Sequence, residues 1–362
     1  MKEKIKLFDP YVGIEEEKAI LKVIKSHFWA SGAGTGNVLK FEKKFQQYVK
    51  SKTCIAVNSG TAALNLSLSL INTKNKEVIL PSLTFVSTAH AVQLNGGRPI
   101  FVDVDPNTLC LDPRKIQEKI TKKTIAILPV HFAGMPCNIS EIKKLCLDNH
   151  LTLIEDAAHA AGASYGNKKI GQHGNFVCFS FHPVKNLSMP TGGLISINDA
   201  NSTKFKKILQ AKRWCGISDR INVKYDVKDI GWNYYMDEFA AAIGIEQLKK
   251  LDVANRIRKK TARRYFHEIN LDNKMPFDTN CSYHFYWIRV KKRDLFRRLL
   301  EKAGIETGIH YRPVHTFTMY KNKQFLPNTE AIGSEIISLP THPNLTNNQI
   351  NYIIKTVNGL LS

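Results

Sequence analysis

Seven short apolar runs, separated by segments with helical spacing, narrow the fold of this 362-residue chain more than any other feature. They span 54–57, 78–80, 99–102, 125–130, 151–154, 176–180 and 194–197. Strands that alternate with helices predict a mainly parallel α/β sheet, because a parallel return needs a crossover long enough to hold a helix. Ligands of such sheets sit beyond the carboxyl ends of the strands, so the residues after each run are the ones to inspect. Ahead of the first strand, Ile14, Ala19, Ile20, Val23 and Ile24 predict a helix over 14–28, and Phe41, Phe45 and Tyr48 predict a second over 39–48. The loop between them carries a Gly-x-Gly-x-Gly at 32–36. It follows a helix rather than a strand, so it is not a dinucleotide fingerprint.

After residue 197 the pattern changes to longer helices, one over 237–251 continuing toward 265. A strand is predicted at 283–290, with helices at 295–303 and 348–360. We therefore expect a large domain with an N-terminal arm over 1–250 and a smaller α+β domain over 251–362, as the length also suggests.

Lys and Arg number 52 against 31 acidic residues, a formal charge of +21. They occur as scattered short pairs, which reads first as solvated faces, next as an anionic small-molecule substrate, and last as a nucleic-acid surface. Seven cysteines with no Cys-x-x-Cys argue against a disulfide framework and a structural zinc site, and for a reducing compartment. Residues 1–12 carry charges throughout, and no run approaches the roughly 18 apolar residues of a membrane span. A cytoplasmic protein with neither nucleic-acid nor membrane partner is expected.

Four strand ends carry chemistry. The first is followed by Asn58-Ser59-Gly60-Thr61 and a helix, where free amides and hydroxyls suit a phosphate, although Ser and Thr there are also ordinary caps. Phe85 follows the second and either packs in the core or covers a planar ring. Asp156 follows the fifth and either caps a helix or pairs with a protonated ring nitrogen, with His159 near enough to share the ligand. After the sixth, Lys185 lies in the turn 182–193, where partial desolvation makes an amine nucleophilic. Together these describe a pyridoxal phosphate pocket with no metal.

At these residues the chain resembles the sugar aminotransferases of the DegT group, within the fold-type-I pyridoxal phosphate enzymes. The resemblance runs over 29–315. It rests on Phe41-Glu42, Ser59 to Leu64, Pro129-Val130-His131, Glu155 to Ala160, Ser180 to Lys185, Gly231 to Met236 and His310 to His315. It implies that Lys185 forms the Schiff base, Asp156 partners the pyridine nitrogen and Phe85 stacks on the ring. It further implies that Ser59, Gly60, Thr61 and Ser180 hold the phosphate, and that His159 reaches the phenolic oxygen. Asn233 resembles an asparagine supplied by a neighbouring subunit, so a homodimer with shared sites is implied. The expected reaction moves an amino group from an amino acid, glutamate first, to a keto-sugar, most naturally nucleotide-linked; the alternatives are a free keto-sugar or cyclitol as acceptor, or a cofactor-binding regulator without turnover. Trp29, His182, His310 and Tyr311 are the candidates for the sugar side. Relatives carry Thr-Gly-Glu-Gly-Gly after the lysine; here Met189-Pro190-Thr191-Gly192-Gly193 lacks the glutamate, and Tyr235 stands where arginine is common.

Overall fold

A computed structural model describes residues 4–321 and 324–361. Residues 1–3 of the charged N-terminal stretch, and residue 362 at the end of the expected second domain, lie outside them. The seven runs form one sheet: β1 (Thr53–Val57), β2 (Glu77–Pro81), β3 (Arg98–Val102), β4 (Thr124–Ile127), β5 (Thr152–Asp156), β6 (Phe176–Ser180) and β7 (Gly193–Ile197). Their order is β1-β7-β6-β5-β4-β2-β3. All neighbours run parallel except β7, which is antiparallel to β1 and β6. The reversal at β7 follows from the turn that holds Lys185, which sends the chain straight back along β6 without a crossover. Helix α1 (Ile14–Ser26) stops short of the expected residue 28, and α2 (Gly36–Val49) lays Phe41 against Phe181, just past β6, and Phe45 against Phe179 of β6, at ring distances of 5.5 and 5.0 Å.

Several boundaries differ from those read in the sequence, for identifiable reasons. β4 ends at Ile127 rather than 130, because Pro129 has no N–H to continue a ladder. Helix α2 starts at Gly36 rather than 39 because its first amides are capped from a distance: Asn37 N–H donates to Glu238 Oε2 at 2.7 Å. The segment 283–290 pairs only over β10 (Tyr286–Arg289), against β11 (Ile336–Leu339).

An exposed hairpin, β8 (Ile217–Ile221) and β9 (Lys224–Val227), falls between the sheet and the later helices in the chain. Past it, α4 (Glu238–Glu268) is a 31-residue helix within which residue 250 lies. The remaining elements include α5 (Arg293–Lys302) and α6 (Asn347–Leu361) around the β10–β11 pair. The N-terminal arm is fastened to that second part: Ile5 bridges Ile305, and Leu7 N–H donates to Glu306 Oε2 at 3.1 Å.

Candidate active site

The sheet brings its strand ends to one edge, and there a cavity of about 330 Å³ opens, within the roughly 300–1,000 Å³ usual for small-molecule sites. Helix α3 (Gly60–Leu68) starts at its floor. Ser59 caps this helix, its Oγ accepting Ala62 N–H at 3.1 Å, and intrahelical bonding begins with Ala63 N–H to Ser59 O. The cap reading of Ser59 is therefore realised. It still leaves the Gly60 and Thr61 amides for an anion. A side chain at Gly60 would bring its Cβ within 2.7 Å of Ser180 Cβ, so the close approach of α3 to the end of β6 requires glycine.

Asp156 ends β5 and is buried. No helix follows it, so the cap reading fails; one oxygen instead accepts Ala158 N–H at 3.0 Å and the other accepts the Thr88 hydroxyl at 2.9 Å. Burial pushes its carboxyl above the usual range, against these two donors and Lys185. His159 accepts Ala133 N–H on Nδ1 at 3.3 Å, which places its own proton on Nε2, 3.0 Å from the Tyr311 hydroxyl. Burial and the neighbouring Lys185 hold His159 far below the usual imidazole range.

Lys185 sits in a turn bolted on every side. Its amide donates to His182 O and its carbonyl accepts the Ser188 hydroxyl at 2.7 Å. Asn186 Nδ2 donates to Asn255 Oδ1 and Ser282 O, at 2.9 and 2.8 Å. Met189 and Thr191 complete the departing tail: the Thr191 hydroxyl donates to Asn58 O, and a Cβ on Gly193 would sit 2.3 Å from Ser59 O. Thus the contact between this turn and the start of α3 demands glycine at 193, whereas a Cβ on Gly192 would meet the Met189 sulfur at 2.7 Å. The Lys185 amine is pushed down to about 8, mainly by burial, with Asp156 opposing.

Phe85 is 55 % exposed at the mouth, its ring 6.0 Å from Tyr311. His182 and His310 also line the cavity; His310 is hydrogen-bonded to Ser338 Oγ at 2.8 Å and pushed down to about 3 by burial. Trp29 and Asn233 do not line it. Trp29 is half exposed beside Phe239, and Asn233 is exposed, its carbonyl accepting Asn58 Nδ2 at 3.3 Å. His284 and Thr88 were not anticipated. His284 lies in the predicted strand 283–290, where nothing in the local pattern separates it from a core residue, and its Nε2 is 3.5 Å from Lys185 Nζ. Thr88 follows Phe85 by three positions, one helical turn, and that spacing is its only signal.

Pyridoxal phosphate fits these residues: a cradle of amides and hydroxyls for its phosphate, a buried carboxylate, and an amine that is easily deprotonated. Among the described residues no group of His, Cys, Asp and Glu is placed to hold a metal ion.

A family model described as the DegT/DnrJ/EryC1/StrS aminotransferase family matches residues 10–358. An uncharacterized protein of Methanocaldococcus jannaschii is 34% identical over 98% of this chain and 97% of its own. The spore coat polysaccharide biosynthesis protein SpsC of Bacillus subtilis is 32% identical over 97% and 96%. Among solved structures, Helicobacter pylori PseC, an aminotransferase involved in the biosynthesis of pseudoaminic acid, superposes with a TM-score of 0.92 at 26% identity, covering 98% of both chains.

Proposed function

Because the chain belongs to the DegT/DnrJ/EryC1/StrS aminotransferase family and is a pyridoxal phosphate-dependent sugar aminotransferase, we propose that it carries an amino group from glutamate to a nucleotide-linked keto-sugar. The acceptor carbon is C4 or C3, and the product enters a polysaccharide, a destination that the likeness to SpsC supports. The observation that carries the reading is the amine of Lys185, held close to neutral beside Asp156 in a cavity floored by the start of α3.

When bound, pyridoxal phosphate supplies an electron sink that lets the C–H bond beside the substrate nitrogen ionise. Each residue has a part around it. The Gly60 and Thr61 amides, with the hydroxyls of Ser59, Thr61 and Ser180, would hold the phosphate, and Phe85 would cover one ring face. Asp156, steadied by Thr88 and Ala158, would hold the proton on the ring nitrogen. His159, whose Nε2 is 3.0 Å from the Tyr311 hydroxyl, would offer its Nε2–H to the phenolic oxygen. Lys185, in the neutral form that burial favours, would be the base that takes the proton from the donor's α-carbon and the acid that gives it back. His182, His310 and Tyr311, which line the cavity, would meet the sugar, whereas Trp29 stands outside it.

A homodimer completes this reading. Asn233 is exposed and turned from its own cavity, and the hairpin presents Ile221 and Val223 at 74% and 84% exposure. Such a patch suits burial against a second copy, where Asn233 of the partner subunit reaches the phosphate. The seven thiols are unpaired and no described helix is long and apolar enough to cross a membrane, in keeping with the cytoplasmic site we propose.

Adding glutamate to the cofactor-loaded protein tests the donor: the visible absorbance of the loaded protein is expected to be replaced by that of the aminated cofactor, with 2-oxoglutarate released. No change with glutamate, but a change with another amino acid, would reassign the donor. Mass detection over a panel of nucleotide-linked keto-sugars, with free keto-sugars and cyclitols as comparators, then identifies the acceptor. Amination of only the free compounds would overturn the nucleotide-linked reading.

A further inference from the structure

We infer that His284 is a positioning residue for Lys185, its Nε2–H donating to the lone pair of the lysine's neutral amine and so aiming that amine into the cavity. The inference rests on the reading of Lys185 as the reacting amine and adds a partner to it.

The geometry leaves His284 little freedom. Its ring is 1% exposed and stacks between Phe8, at 5.0 Å and 18°, and His159, at 4.6 Å and 32°. The backbone is pinned as well: its amide donates to Ala133 O at 2.9 Å, and its carbonyl accepts Arg258 NH1 at 3.4 Å. Packed against both rings, the imidazole brings its Nε2 to 3.5 Å from Lys185 Nζ. The other nitrogen, Nδ1, is buried with no hydrogen-bond partner. An orphaned buried N–H is rarer than an orphaned acceptor, so the proton belongs on Nε2, where the amine receives it.

Charges around the ring keep it neutral. Lys185 faces it from the turn after β6 and Arg258 from α4, while His159 and His310 add positive potential whenever they protonate. Asp156 acts on Lys185 from β5, and Phe8 of the N-terminal arm brings no charge. Burial and these cations hold His284 well below the usual imidazole range. A neutral donor beside a lysine amine stabilises the unprotonated form, the form able to attack a carbonyl or accept a carbon-bound proton. The arm has a role in this arrangement: Phe8 stacks on the ring, and the arm itself is held by Glu306 and by His342, whose Nε2 is 3.0 Å from Lys6 O.

The test is competitive acetylation of the cofactor-free protein with acetic anhydride from about pH 6 to 11, with Lys185 labelling read by mass spectrometry. Wild-type Lys185 should titrate near 8. His284→Phe, which keeps the stack and removes the donor, should raise that midpoint by about one unit, and His284→Gln, which restores an N–H, should return it toward wild type. If wild-type Lys185 titrates with the surface lysines, the reading of the lysine has failed. If it titrates low and His284→Phe leaves it there, only the inference about His284 has failed. Nitrogen-15 spectra of histidine-labelled wild-type protein, assigned by difference with His284→Gln, give a readout independent of the Phe variant. At pH 10, where the Lys185 amine is neutral, they should show His284 neutral with its proton on Nε2. A proton on Nδ1, or a charged ring, overturns the inference.

Discussion

At the scale of the residue, the account turns on a lysine whose surroundings disfavour its charge. Its amine falls from 10.5 in an open chain to about 8 in the fold. Between those values the unfolded chain holds a proton that the folded chain has released, so folding gains stability as pH rises through this window. Below it the full penalty for burying the ammonium remains. We therefore expect cofactor-free Lys185→Met to be more stable than wild type at pH 7, by up to about 3 kcal/mol at roughly 1.4 kcal/mol per unit. The gap should narrow on approaching pH 10, as urea unfolding at the two pH values would reveal; a gap that does not change with pH would show that the amine is solvated. The glutamate missing from the tail is answered at the same scale, since Thr191 instead ties that segment to Asn58 O.

At the scale of the element, the start of α3 carries the phosphate cradle and is fitted closely to the end of β6. Gly60→Ala places a methyl 2.7 Å from Ser180 Cβ, so either the strand or the helix must shift. Overpacking of this kind costs about 1–3 kcal/mol, and here it also moves the amides that take the anion. Cofactor titration should show weaker binding by at least about tenfold, together with a lower melting temperature; unchanged affinity would remove α3 from the phosphate site. Much of this element was readable in advance. Ser59 to Thr61, Phe85, Asp156 and Lys185 each follow an apolar run, and parallel strands must deliver their carboxyl ends to one edge. The unread parts have distant causes. Glu238 caps α2 across the fold, Phe8 and His284 meet only because the N-terminal arm crosses the second part of the chain, and Asp156 reads as a helix cap until the segment after it is seen to form turns. No local pattern encodes a contact whose partner is hundreds of residues away.

At the scale of the whole molecule, the proposal is two sites shared between two copies. Lys185→Ala and Asn233→Ala should each be inactive alone. Mixed and allowed to exchange subunits, they should regain up to about a quarter of wild-type activity, because half of the pairs are hybrids and each hybrid keeps one site with both residues intact. No recovery, in a mixture that demonstrably exchanges, would place Asn233 in its own chain's site or outside the chemistry altogether. Each of these expectations presupposes that Lys185 is the residue that binds the cofactor covalently, and one measurement addresses that directly. Borohydride reduction of the loaded protein, followed by digestion and mass spectrometry, should find the phosphopyridoxyl group on the peptide containing Lys185 and find no such adduct in Lys185→Ala. A labelled lysine elsewhere in the wild-type chain, or an adduct that survives the substitution, would contradict the account.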